Sequence, residues 1–101
     1  MIRVAIVGTG GIAHAHMEAY RTLKERCEIA ALVDIIPGKA KRFMEEFGLS
    51  CDTYENHEDI LPRKDIDLVD VCTPPYVHAS ISINCLRSGK NVVCEIGRAH
   101  V

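Results

Sequence analysis

Ile2-Arg3-Val4-Ala5-Ile6-Val7-Gly8-Thr9-Gly10-Gly11-Ile12-Ala13 opens the chain and decides its fold. Residues 2–7 are β-branched and nearly all apolar, the composition of a strand buried on both faces of a parallel sheet. The glycines follow without a spacer. Ile12, Ala15, Ala19 and Leu23 then recur at helical spacing and predict a helix over about 11–25. In this strand–loop–helix context each small residue has a mechanical reason. Gly8 permits the tight turn, and Gly10 lets a pyrophosphate approach the backbone. Ala13 stands for a third glycine and still allows close helix–strand packing. Backbone N–H groups at the helix start would face the phosphates, helped by the helix dipole. A glycine turn with no ligand is the plainer alternative, but a plain turn does not demand this combination.

The next apolar run, Glu28 to Val33, ends at Asp34, about 20 residues past the loop. A carboxylate there can accept hydrogen bonds from both hydroxyls of an adenosine ribose. It also repels a 2′-phosphate, which favours NAD over NADP. The alternative is a helix-capping aspartate. Lys39, Lys41 and Arg42 follow closely and keep NADP possible.

Further along, Pro37 suits the first turn of a second helix. Ala40, Phe43, Met44 and Phe47 form its buried stripe, and Gly48 stops it. Residues 51–54 make a weak third strand, 56–61 a short helix and 66–72 a clear fourth strand. After the break Thr73-Pro74-Pro75, a helix is predicted over 76–88 with Val77, Ile81, Cys85 and Leu86 inward, capped by Gly89. Asn91 to Cys94 is a fifth strand. Strands and helices alternate regularly, so the fold class is α/β: a Rossmann-like, doubly wound parallel sheet of order 3-2-1-4-5 in one domain. The carboxyl ends of strands one and four then flank the topological switch point, where ligands bind in such sheets. The prolines stiffen the loop after strand four, either as a wall for the nicotinamide ribose or as a plain helix-start turn.

Bulk properties exclude several classes of function. The 101 residues carry a net charge of -2 with no Lys/Arg run, so no nucleic-acid partner is expected. No apolar stretch reaches the length of a membrane span. A strand starts within two residues of Met1, so no signal peptide is expected. The five cysteines are odd in number and form no Cys-x-x-Cys pair, which fits reduced thiols in the cytoplasm. No metal site is expected, because the ligand spacings of a zinc site are absent, and His14, His16 and His78 are not expected to be metal ligands. His16 either faces the cofactor or sits on the helix surface.

Taken together, these stretches resemble the N-terminal domain of the Gfo/Idh/MocA family of NAD(P)-dependent oxidoreductases. The resemblance is carried by Val7-Gly8-Thr9-Gly10-Gly11-Ile12-Ala13 with His16, by Val33-Asp34, and by Cys72-Thr73-Pro74-Pro75-Tyr76-Val77-His78-Ala79. Gly89-Lys90-Asn91-Val92-Val93-Cys94-Glu95 completes it, so the similar region is residues 1–95. It implies hydride transfer between a nicotinamide and a hydroxyl carbon, commonly of a sugar or polyol. It also implies that Gly8, Thr9, Gly10, Gly11, Ile12, Asp34, Thr73, Pro74, His78 and Glu95 contact the cofactor, NAD or else NADP. A homo-oligomer is implied for the full-length protein.

The family usually continues Glu-Lys-Pro at the end of strand five, with the lysine acting on the substrate hydroxyl. Here Ile96 and Gly97 follow Glu95, so no catalytic residue is carried over. The substrate domain of the family is also absent from the 101 residues. Residues 96–101 are expected to be a non-native tail. Glu95 onward can be written GAG ATC GGA AGA GCA CAC GTC, which from its second base matches the start of a common sequencing adapter. Two other classes stand as alternatives. One is a dinucleotide-binding sensor without catalysis. The other is an S-adenosylmethionine-dependent methyltransferase, since Pro74-Pro75-Tyr76 is shared with the Asn-Pro-Pro-Tyr motif. Thr73 lacks the carboxamide that chemistry needs.

Overall fold

The structure is a computed structural model that describes residues 1–94, so Glu95 and the tail 96–101 lie outside the described residues. The chain forms β1 (Ile2–Val7), α1 (Gly11–Thr22), β2 (Cys27–Val33), α2 (Lys39–Glu46), β3 (Asp52–Tyr54), β4 (Leu68–Val71), α3 (Pro75–Arg87) and β5 (Asn91–Cys94). A 3₁₀ turn, His57–Ile60, lies between β3 and β4. All strand pairs are parallel, and the sheet order is β3-β2-β1-β4-β5. This is the doubly wound arrangement that the alternating pattern predicts. Among the described residues no helix is long and apolar enough to cross a membrane.

β1 is central because it is apolar on both faces. Val4 and Ile6 face α1 and α2, packing with Ala13, Met17, Leu32, Ala40 and Phe43. Ala5 and Val7 face the other way, into a layer with Val33, Val69, Val71, Ile81 and Cys85. Val7 pairs with both Val33 and Val71, so the carboxyl ends of β1, β2 and β4 are level. That alignment creates one rim on which loops from three strands meet.

Beyond one-residue shifts at several element ends, the structure departs from the sequence reading at four points. α1 ends at Thr22 rather than 25, because β2 must start at Cys27 to pair with Ile2. The chain reverses in the intervening residues, with the Arg26 and Cys27 amides both donating to Leu23 O. Pro37 is not in the first turn of α2. Ile36-Pro37-Gly38-Lys39 forms a tight turn closed by Lys39 N donating to Ile36 O at 3.1 Å. Gly38 takes φ 78°, ψ −10°, the left-handed position of a Pro-Gly type II turn. β4 is shorter than 66–72, although Ile66 is still buried. Leu86 is 58% exposed and not inward. His78, Ile81 and Cys85 form the buried stripe of α3, and Leu86 lies about 100° further round the helix than Cys85. Both predicted stops hold. Leu49 N donates to Met44 O after α2 and Lys90 N to Cys85 O after α3, each wrapping the helix end back on itself.

Candidate functional site

The rim at the ends of β1, β2 and β4 holds a cleft of about 530 Å³. Its floor is Val7 to Ile12, one wall is Asp34, Ile35, Ile36 and Lys39, and the other is Cys72, Thr73, Pro74, Tyr76 and Val77. Thus the glycine loop, the β2 acid and the Thr-Pro-Pro loop, far apart in sequence, come together around one space.

The glycines divide by physical cause. Gly8 has φ +93°, and a Cβ there would lie 2.9 Å from Cys72 C and O. The fold itself therefore requires Gly8. Gly10 and Gly11 are different, since a Cβ on either meets nothing within 4 Å. Packing gives no reason for glycine at these two positions, whereas close approach of a ligand does. They stand at the start of α1, where no side chain caps the helix and no acid occupies the first turn. The orphan N–H groups and the positive end of the helix dipole are left for an anion.

Asp34 is 7% exposed and caps no helix; the residue at the N-cap of α2 is Gly38. Its Oδ2 accepts from Thr9 N at 2.9 Å and Thr9 Oγ1 at 2.7 Å, and its Oδ1 accepts from Ile36 N at 3.0 Å. Burial acts to raise the Asp34 pKa. The Ile36 and Thr9 hydrogen bonds and the Lys39 ammonium outweigh it, so the carboxyl sits below its ordinary value and stays ionised. The Thr9 side chain thus bonds the β2 acid, a clamp that the motif alone does not show. Lys39 Nζ lies 3.9 Å from Asp34 Oδ2 and brings a cation into the wall. Lys41 lines a separate shallow depression beyond Asp34.

On the opposite wall, Thr73 Oγ1 is buried without a hydrogen-bond partner among the described residues, as is His78 Nδ1. His78 does not line the cleft. Its Nε2–H donates to Thr73 O and fixes the Thr-Pro-Pro loop from behind. His57, which carries no readable signal in the sequence, does line the cleft, and its Nε2 pairs with Asn84 Nδ2 at 3.1 Å. His16 faces neither the cleft nor open solvent alone: its Nδ1 lies 2.7 Å from Asp70 Oδ2 of β4.

His14 ties the loop to α2. Its Nδ1 lies 2.7 Å from Gly10 O and its Nε2 3.0 Å from Glu46 Oε1, with the ring edge-on to Phe43. The Gly10 carbonyl first, and Glu46 second, raise its pKa above 6.5. A raised histidine pKa contributes stability that is full below the unfolded value and lost as pH rises through the folded one. His14→Gln should therefore lower the melting temperature more at about pH 5.5 than at about pH 8.5. The pair is about half in water, so the difference stays below about 1 kcal/mol. An equal loss at both pH values would show that the charged form is not favoured.

Residues 2–96 match the oxidoreductase family with NAD-binding Rossmann fold known as Gfo/Idh/MocA. The chain is 33% identical over 94 residues to an inositol 2-dehydrogenase/D-chiro-inositol 3-dehydrogenase of Lactiplantibacillus plantarum, covering 92% of this chain and 27% of that protein. It superposes with a TM-score of 0.86 and 34% identity on the WlbA dehydrogenase of Chromobacterium violaceum, solved with NADH and UDP-GlcNAcA, covering 94% of this chain and 27% of that one. The myo-inositol dehydrogenase of Lactobacillus casei, solved with NAD(H) and myo-inositol, gives a TM-score of 0.88 at 25% identity, covering 95% and 28%. The chain therefore spans little more than a quarter of the length of these relatives. Fold, cleft and sequence agree, and the chain belongs to the Gfo/Idh/MocA family of oxidoreductases, of which it carries the NAD-binding Rossmann fold.

Proposed function

We propose that the cleft binds a nicotinamide dinucleotide, with NAD preferred over NADP. The chain is then the cofactor half of an oxidoreductase acting on a CH–OH group of a sugar or polyol. One observation carries the proposal: Gly10 and Gly11 face open space at the uncapped start of α1, beside a buried, ionised Asp34. The pyrophosphate would lie on the backbone of Gly10, Gly11 and Ile12, and the adenosine ribose against Asp34. The nicotinamide ribose would reach Thr73 and Pro74, where the unpartnered Thr73 Oγ1 gains a hydrogen bond. Glu95, the residue after Cys94 in the sequence, is proposed to contact the cofactor as well.

Hydride transfer requires the substrate carbon held against the nicotinamide in near-attack geometry. The chain covers 27% and 28% of the two dehydrogenases solved with NAD(H) together with UDP-GlcNAcA or myo-inositol. The 101 residues are thus proposed to bind cofactor without turnover. Calorimetric titration with NAD, NADP and S-adenosylmethionine tests the assignment, with NAD expected to bind tightest. Tightest binding of S-adenosylmethionine would replace it with a methyltransferase reading. Polyol-dependent NADH formation by the purified chain would refute the absence of turnover while leaving cofactor binding intact.

A further inference from the structure

Beneath the Thr-Pro-Pro loop, on the α1 side of the sheet, three metal-ligating side chains converge. His16 comes from α1, Asp70 from β4 and Cys72 from its carboxyl end. One donor atom from each lies within 4.8 Å of the others, and this is the one such trio among the described residues. Strand alternation causes the convergence. Asp70 and Cys72, two residues apart, point to the same face, and α1 crosses over that face. Cys72 Sγ lies 3.5 Å from His16 Nδ1 and 3.4 Å from Asp70 Oδ1.

A tetrahedral zinc ion has Zn–S of about 2.3 Å and Zn–N and Zn–O of about 2.0–2.2 Å, which sets its donor atoms roughly 3.3–3.6 Å apart. The two sulfur distances already fall there. The imidazole meets the other carboxylate oxygen: His16 Nδ1 lies 2.7 Å from Asp70 Oδ2, a hydrogen bond whose proton a metal would replace.

We infer that His16, Asp70 and Cys72 form a binding site for one borderline-soft divalent cation, of which zinc is the natural candidate. The inference does not depend on the dinucleotide. Charge supports it: a thiolate, a carboxylate and a neutral imidazole balance a 2+ ion in a place where Asp70 is wholly buried and Cys72 is 7% exposed. A thiolate and an imidazole exclude magnesium and calcium, which take oxygen ligands. His16, with its side chain 21% exposed, provides the entry path. Tyr20 donates to Asp70 Oδ2 at 2.7 Å, the outer-shell bond that ligating carboxylates carry. Binding balances simply. The Cys72 thiol loses its proton to solvent, the imidazole proton moves from Nδ1 to Nε2, and the cation takes their place.

The test titrates the reduced, metal-free chain with Co²⁺ and then Zn²⁺, with Cys51→Ser as the control thiol variant. Cys51 is half-buried, and burial first holds its thiol up at about 11. Expected are one equivalent of cobalt, thiolate-to-cobalt charge-transfer absorption in the near ultraviolet, and visible bands of tetrahedral intensity, all displaced by zinc. Cys51→Ser should keep the charge-transfer band and Cys72→Ser should lose it. His16→Gln, at a more exposed position, serves as a second variant should Cys72→Ser fail to fold; it should lose the tetrahedral bands. Tyr20→Phe should weaken affinity by about tenfold to a hundredfold. No cobalt binding, a band that survives in Cys72→Ser or disappears in Cys51→Ser, or an unchanged affinity in Tyr20→Phe would overturn the site.

Discussion

Gly8→Ala is expected to lower the unfolding free energy by roughly 3 kcal/mol or more, a large part of the 5–15 kcal/mol typical of a domain. Two independent costs add. The residue sits at φ +93°, where an L side chain is strained, and its Cβ would press on Cys72 C and O at 2.9 Å. The obstacle is backbone at the exit of β4, which cannot rotate away as a side chain can. In a chain of this size the loss corresponds to a fall in melting temperature of roughly 10–20 °C. Gly10→Ala should leave stability nearly unchanged, because the added methyl meets nothing within 4 Å. Urea unfolding of the two variants separates the roles. Equal destabilisation would mean that Gly10 too is fixed by the fold and not by a ligand.

Asp34→Ala is expected to weaken NAD binding by about tenfold to a hundredfold, the worth of a hydrogen bond to a charged group at 1.5–3 kcal/mol. NADP should lose much less. A 2′-phosphate gains from removal of the carboxylate and finds Lys39, whose Nζ lies 3.9 Å from Asp34 Oδ2. Part of the NAD loss comes from the loop itself, because Thr9 N and Thr9 Oγ1 lose their acceptor. That part falls on both cofactors alike, so the ratio of the two dissociation constants isolates ribose recognition. An equal loss for both would show that Asp34 holds Thr9 and does not read the ribose.

Much of the fold was legible because it is written in local periodicity. The apolar run 2–7, the glycines and the 77-81-85 spacing each specify an element without help from distant residues. Glycine loop, acid and Thr-Pro-Pro loop were legible as parts of one site because sheet order 3-2-1-4-5 places their strand ends side by side. Side-chain pairings across the fold were not. His16 and Asp70 are separated by 54 positions, and nothing local to either marks the other. Lys90 is similar: it is buried at 6% exposure because its Nζ reaches Arg63 O at 2.6 Å, 27 residues away. Pro37 was misplaced for a different reason. A proline that opens a helix and a proline that opens a Pro-Gly turn look alike until Gly38 is seen to take the left-handed position.

The bonds from Thr9 to Asp34 have a consequence for populations. A loop of small residues has many conformations of similar energy, and a ligand that needs one of them binds more weakly in proportion to how seldom that one is visited. Two hydrogen bonds to a buried, ionised carboxylate hold the segment between Gly8 and Gly10 in a single arrangement before any ligand arrives. The conformational tax on binding is met during folding, and the acid that recognises one end of the ligand also keeps the cradle for its middle in shape.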